Sequence, residues 1–278
     1  MLIVVFRKRC IAPKFAGQCL VLPFFVMGDE LYDWERVTQL LAQQAPWWTP
    51  GSASGYHALT QGYLIGEVVR RITGQSLGQF FAEQIAGPLN ADFFIGVPDS
   101  EFHRIGNLIP PPDGAVLGQG AVKDSIPYRT YSSPRTSALD SHTDGWRRAE
   151  IPAANGHSNA RAVAKIHSAL ANGGRVGDVQ LLSPEICRSV MQTRIEGIDL
   201  VFGGPMAFGL GFGLHPVKAD RRNLCFWGGW GGSRAIIDQD NALSFAYVMN
   251  KMADGLLGDA RGDQLARATF MSLAAMSQ

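Results

Sequence analysis

The sequence predicts an α+β protein, an antiparallel sheet flanked by helices, because the apolar period changes along the chain. From Leu31 to about residue 190, outside the loop-forming 98–150, apolar residues recur every three or four positions. In the last third they fall into short β-like runs, "NLCFW", "SRAIID" and "ALSFAYVM", and an amphipathic stretch, "DARGDQLARATFMSLAAM", closes the chain. Helices, then an antiparallel sheet, then a helix make a layered α+β sandwich. With 278 residues, 46% hydrophobic and 18% charged, the chain is long enough for a substantial core and lies outside the disordered and collagen-like classes.

The elements follow in order. "MLIVVFRKRC" places its apolar run before its basic cluster, the reverse of a secretory signal, and "FAGQCLVLPFFVM" is interrupted by Gly17, Gln18 and Pro23. Neither is long enough to span a bilayer, so the segment reads as strand-like, with a signal anchor as the alternative and a cytoplasmic location as the expectation. "LYDWERVTQLLAQQ" puts Leu31, Trp34, Val37, Leu40 and Leu41 on one helical face, and the Pro- and Gly-containing "APWWTPGSASGY" stops it. "YLIGEVVRRITG" predicts a helix burying Leu64, Ile65, Val68, Val69 and Ile72, with Arg70 and Arg71 near its C-terminal end and Gly74 as its stop. Ser76 caps the next, "LGQFFAEQIAGPL".

Residues 98–150 carry loop-forming composition and read as an excursion within one domain. Ser158 opens a helix through Ala171, and "SPEICRSVM" starts another with Ser183 at the N-cap, Pro184 at the first helical position and Glu185 in the first turn. "GGRVGD" turns between the two.

Composition narrows the chemistry. A net charge of +1 with scattered Lys and Arg offers no basic stripe for nucleic acid and no acidic tail; small molecules are the expected partners. Cys10, Cys19, Cys187 and Cys225 form no Cys-x-x-Cys pair, and the six histidines form no His-Glu-x-x-His. Free thiols are therefore expected, with no metal and no cofactor.

Four glycine, serine or tyrosine motifs are candidates for chemistry. "GLGFG" (209–213) lacks a following helix to receive a phosphate and reads as a glycine-rich strand. "GHSNA" (156–160) resembles a nucleophile elbow, but the preceding "EIPAAN" is polar and proline-broken, which makes Ser158 a helix cap. "CFWGGWGGSRAIID" (225–238) sets Trp227 and Trp230 among glycines, either as the wall of a site or as a bulged strand with two core tryptophans; Ser233 opens a strand and not a helix. Tyr56 follows a Pro-Gly loop just before a helix, where a rigid element can aim its phenol into a cleft.

Taken together, "PWWTPGSASGYHALTQGYLIGEVVRRITGQSLGQFFAEQIAGPL", "IPAANGHSNARAVAKIHSALANGG", "LLSPEICRSVM", "GLGFGL" and "WGGWGGSRAIIDQDNALSFAYVMNKM" resemble, in order and spacing, the serine hydrolases related to class C β-lactamases, in particular the family VIII carboxylesterase branch. The resemblance runs from about Asp29 to Lys251. It implies a β-lactamase/transpeptidase-like fold, with 1–28 as a divergent N-terminal segment and 29–278 as a partial hydrolase domain. It also implies acyl transfer, in which a serine attacks an ester carbonyl and water later releases the acyl-enzyme. Tyr56 matches the family's Tyr-x-Asn, with Ala58 where asparagine is common; Trp227, Gly228 and Gly229 match the Trp-x-Gly of its esterases. The Trp230 N–H would be an oxyanion donor, Trp227 an apolar wall, and the glycines would let an acyl ester or β-lactam-like ligand lie against the strand edge.

One element departs. The six lysines, Lys8, Lys14, Lys123, Lys165, Lys218 and Lys251, have Val5, Ile11, Gly120, Ala162, His215 and Val248 three places before them, so no Ser-x-x-Lys is present. The resemblance then implies an N-terminally truncated member, incomplete where the family has a buried central helix. Little or no esterase turnover is expected, with exposed apolar core surface and self-association through it. A non-catalytic binding or complementing module and a non-functional remnant are the alternatives; an enzyme would need a substitute nucleophile near Tyr56, with Ser54, Ser158 and Ser233 as candidates.

Overall fold

A computed structural model describes residues 28–111, 117–118, 120–214 and 223–276. The strand-like or anchoring reading of residues 1–27, and with it Cys10 and Cys19, lies outside the described residues.

Helix α1 (Trp34–Gln43) starts where the Asp33 carboxylate accepts the Arg36 N–H at 3.0 Å. It buries Val37, Leu40 and Leu41 together with Leu31 just before it. Helix α2 (Thr60–Thr73) ends at Gly74, whose φ of 76° places it in the left-handed conformation that glycine adopts without strain. The buried face of α2 matches the predicted one only at Val69. Ile72 is 50% exposed and Leu64, Ile65 and Val68 are half-buried, whereas Tyr63, Gly62, Gly66 and Val69 face inward. The two glycines explain the rotation: a Cβ on Gly66 would stand 2.4 Å from the Trp34 ring, and one on Gly62 would stand 2.7 Å from the Ala153 backbone nitrogen. Close approach of neighbours, not a stripe of large side chains, selects this face.

Helix α3 (Leu77–Phe81) opens with the expected Ser76 cap, completed by Gln79 into a capping box, and runs into a π-helical turn at Ala82–Ala86. Strand β1 (Phe93–Ile95) pairs antiparallel with β2 (Gly156–Ser158). The excursion between them holds α4 (Ile126–Ser132), α5 (Asp144–Arg148) and two 3-10 segments, more helix than its composition suggests. Helix α6 (Ala160–Ala171) is capped by Asn159, which accepts the Ala162 N–H at 3.0 Å, one residue beyond the predicted Ser158. A hairpin of β3 (Arg175–Val176) and β4 (Val179–Gln180) leads to α7 (Pro184–Val190), where Ser183 caps as predicted.

The main sheet is six-stranded and antiparallel. Its strands are β5 (Ile195–Ile198), β6 (Pro205–Phe208), β7 (Gly213–Leu214), β8 (Leu224–Gly228), β9 (Arg234–Asp238) and β10 (Leu243–Tyr247), in the order β10-β9-β8-β7-β6-β5. The last three are the strands expected from the sequence; β5 and β6 are additional. Only Gly213 of "GLGFG" lies in a strand, the rest forming the turn into β7. Helix α6 packs on β9 and β10, and α8 (Ala260–Met276) closes the described chain.

Three apolar clusters result among the described residues, the smallest being Phe81, Ala86 and Ile95. One gathers Leu31, Val37, Leu41, Tyr63, Trp146 and Ile151 around the helices; another gathers Leu170, Cys187, Val190, Phe212, Cys225 and Ile237 on the sheet. Cys187 and Cys225 are buried free thiols, and burial raises both pKa values, which keeps them protonated and unreactive. No helix among the described residues is long and apolar enough to cross a membrane.

Candidate functional site

Tyr56 sits in the loop between α1 and α2. Trp48 folds back over this loop, donating its indole N–H to the Ala53 carbonyl at 3.1 Å. A side chain at Gly55 would collide with its ring, the Cβ falling 2.2 Å away, so Gly55 lets the chain pass beneath and deliver Tyr56. The Tyr56 N–H then donates to the Asp199 carboxylate at 3.2 Å. Its ring stacks on Phe202 at 4.7 Å between centroids and tilts against Trp227 at 5.5 Å, while Phe208 on β6 flanks Trp227 at 6.0 Å.

The Trp227–Trp230 turn leaves the end of β8. The Gly229 N–H donates to the Ser233 carbonyl at 2.9 Å, and the Gly231 N–H to the Gly255 carbonyl at 2.9 Å. Between these engaged amides, the Trp230 N–H meets no backbone acceptor among the described residues, which suits it to a ligand oxygen. Packing behind the turn is a further reason for the glycines. A Cβ on Gly228 would stand 2.2 Å from the Leu257 backbone, and one on Gly231 would stand 2.8 Å from Met249 and Met252. Gly228 and Gly231 thus admit the returning 249–258 segment behind the turn, while Gly228 and Gly229 also line the cavity.

Tyr56, Ala58, Trp227, Gly228, Gly229 and Trp230 line one cavity of about 1310 Å³, whose walls also include Phe81 of α3, His167 of α6 and Ala235 of β9. The residues singled out in the sequence are thus brought together. Of the serine candidates, Ser233 lines the same cavity. Ser158 lines it too, but its hydroxyl donates to the Asp92 carbonyl at 2.8 Å, which ties it to the β1 side. Ser54 is buried, its hydroxyl without a hydrogen-bond partner among the described residues. Among the described residues no cluster of histidine, cysteine and carboxylates could hold a metal ion.

Electrostatics set what Tyr56 can do. Burial, and secondarily the Asp199 charge, push its pKa up to about 12, and no cation among the described residues opposes them. At neutral pH it is a phenol that donates or accepts a hydrogen bond and does not abstract a proton. Burial likewise raises Tyr131, with the charges of Tyr56 and Asp199 adding to it. Asp199, Phe202, Phe208 and Tyr131 escaped the sequence reading. A lone aspartate or phenylalanine carries no local pattern, and only the tertiary fold brings 199–202 beside Tyr56.

His167 is a second titratable group in the cavity wall. Its Nδ1 lies 2.8 Å from the Val163 carbonyl, the geometry of a neutral imidazole donating there, and burial lowers its pKa to about 4 from 6.5. Between those pH values the unfolded chain takes up a proton that the folded one refuses. His167 therefore leaves stability unaffected above about pH 6.5 and diminishes it as pH falls toward 4. In urea titrations across that range, wild type should lose more stability than His167→Gln; parallel losses would show that the imidazole is not buried as described.

Comparisons with known proteins give the family. The beta-lactamase family model matches residues 22–269. An esterase/beta-lactamase, LipL, of Mycobacterium tuberculosis is 30% identical over 239 residues, which are 82% of this chain and 55% of the relative. The chain thus spans about half the length of that curated relative. Among solved structures, a family VIII carboxylesterase superposes with a TM-score of 0.85 at 34% identity, covering 93% of this chain and 70% of the other. A penicillin-binding protein homolog from Caulobacter crescentus gives 0.81 at 34% identity, covering 94% and 70%. A family match across most of the chain and an antiparallel sheet flanked by helices lead to one conclusion: this chain belongs to the beta-lactamase family and has its hydrolase fold.

Proposed function

We propose that these 278 residues form the substrate-facing part of a carboxylesterase site for short-chain acyl esters. The observation that carries this reading is the meeting of Tyr56, Trp227 and Trp230 around one cavity, with the Tyr56 and Trp227 rings 5.5 Å apart. The ester carbonyl oxygen would accept the Trp230 N–H, the acyl group would lie on Trp227, and the Tyr56 phenol would hydrogen-bond at the reacting centre. In the full reaction a serine hydroxyl adds to the carbonyl as its proton passes to a base. The alcohol then leaves, and water displaces the acyl group from the serine.

No Ser-x-x-Lys stands among the 278 residues, and Tyr56 is held as a neutral phenol. By themselves these residues therefore bind the ester and contribute at most the roughly 10³ to 10⁴ over water that binding and an oxyanion donor provide. The test is to incubate the purified chain with a fluorophosphonate probe and with p-nitrophenyl butyrate, mapping adducts by peptide mass. No phosphonylated serine and hydrolysis within that bound are expected. A labelled Ser54, Ser158 or Ser233 accompanied by turnover would show a replacement nucleophile and overturn the non-covalent part of the reading.

A second reading, a non-catalytic binding or complementing module, is favoured by the size of the cavity. About 1310 Å³ of cleft among the described residues is ample for a small apolar ligand. A rise in melting temperature with p-nitrophenyl butyrate but no hydrolysis would favour this reading.

A further inference from the structure

Asp199 is 0% exposed, and one of its oxygens organises the wall behind Tyr56. Oδ1 accepts the N–H groups of Tyr56 at 3.2 Å, Val201 at 2.9 Å and Phe202 at 2.9 Å. The Leu200 N–H donates to the Ser54 carbonyl at 2.9 Å, pinning the 199–202 turn to the strand of chain that precedes Tyr56. Two segments 143 residues apart are thus joined by this carboxylate and by one backbone bond, and the turn the carboxylate holds carries Phe202, whose ring stacks on Tyr56. A buried carboxylate gathering three backbone donors makes charge-assisted bonds that a neutral turn lacks, and so holds the loop with little freedom. Asp199 does not line the cavity; it acts through Tyr56.

We propose that Asp199 is a positioning residue for Tyr56: its carboxylate fixes the Phe202 turn against the Tyr56 backbone and so sets where the phenol stands at the cavity. The proposal rests on the reading that Tyr56 meets an ester there. Asp199→Asn keeps an oxygen acceptor for all three N–H groups and removes the charge. Asp199→Ala removes the acceptor, and Phe202→Leu removes the stacked ring while leaving the carboxylate.

The measurement is ¹⁹F NMR of the full 278-residue chain labelled with 3-fluorotyrosine, the Tyr56 resonance being assigned by its loss in Tyr56→Phe. In wild type the Phe202 ring shields Tyr56. Asp199→Asn should retain that shielded resonance, and titrate it at lower pH because the charge is gone; Tyr131, which feels the same charge, should follow. Asp199→Ala should lose the shielded resonance while the Tyr63 resonance, in the separate helical cluster, stays in place. A folded Asp199→Ala with an unmoved Tyr56 resonance would overturn the proposal. If that variant does not fold, Phe202→Leu decides: an unmoved Tyr56 resonance would show that the clamp does not hold the ring on the phenol. Adding p-nitrophenyl butyrate tests the underlying reading separately. An ester that leaves Tyr56 unperturbed in wild type overturns the ester site without touching the clamp, whereas perturbation in wild type and Asp199→Asn but not in Asp199→Ala supports both.

Discussion

Replacing Gly228 by alanine is expected to destabilise the chain by about 2 to 3 kcal/mol and to displace the Trp227–Trp230 turn. The added methyl would lie 2.2 Å from the Leu257 carbonyl carbon and 2.3 Å from its oxygen. These are backbone atoms that cannot rotate away, so the strand or the returning segment has to shift, and overpacking of this kind costs typically about 1 to 3 kcal/mol. Gly229→Ala is the matched control: its methyl would meet the Ser233 hydroxyl at 2.5 Å, a group that can turn aside, and about 1 kcal/mol or less is expected. Urea denaturation of both variants checks the contrast, with tryptophan fluorescence reporting on the turn. Equal losses, or a Gly228→Ala variant as stable as wild type, would mean that the 249–258 segment does not press on β8 as described. Because the same turn carries the Trp230 N–H, Gly228→Ala should also weaken ester binding while Gly229→Ala weakens it less.

Asn155→Ala should be costlier still. Asn155 is 2% exposed. Its side-chain oxygen accepts the Ile151 N–H at 2.9 Å, and its amide nitrogen donates to the carbonyls of Trp146 at 2.9 Å and Ala149 at 2.6 Å. One side chain thus satisfies three backbone groups at the corner between α5 and β2, where Pro152 and Ala153 press on Gly62 of α2. Alanine would leave all three buried without partners, at about 1 to 3 kcal/mol for each unsatisfied group. Some relaxation and water entry make about 3 to 5 kcal/mol the expected total, a large part of a domain's typical 5 to 15. Equilibrium unfolding monitored by circular dichroism measures it. Asn155→Asp should not recover the loss, since one oxygen still accepts from Ile151 but the other would face the carbonyl oxygens of Trp146 and Ala149. A loss under 1 kcal/mol for alanine would contradict this corner.

How much was legible beforehand varied by element for physical reasons. Two caps read well: Ser76 and Ser183 each meet the backbone N–H three residues on, and that interaction is complete within four residues of sequence. Ser158 failed as a cap because β2 claims it, its hydroxyl reaching back to Asp92, while the adjacent Asn159 had the same capping chemistry. The face of α2 was misread because periodicity weighs large apolar side chains and gives glycine no weight. Gly62 and Gly66 are the points of closest approach, and a contact made through the absence of a side chain leaves no hydrophobic signal. Strands β5 and β6 carry Glu196, Gly197 and Pro205, too little alternation to announce a sheet.

The site divides along the same line. The sequence by itself determined an α+β chain with an antiparallel C-terminal sheet, the starts of α3 and α7, the absence of any Ser-x-x-Lys, and two motifs, around Tyr56 and Trp227–Trp230, that line one cavity. Each of these is written in short spacing or in composition. Only the tertiary structure decided that Gly228 and Gly231 also admit the returning 249–258 segment, that Tyr56 stays a neutral phenol, and that Asp199 joins it to Phe202 across 143 residues. Those outcomes depend on which distant groups share a small buried volume, where removal from water raises a phenol's pKa and a carboxylate binds whatever donors the fold brings to it.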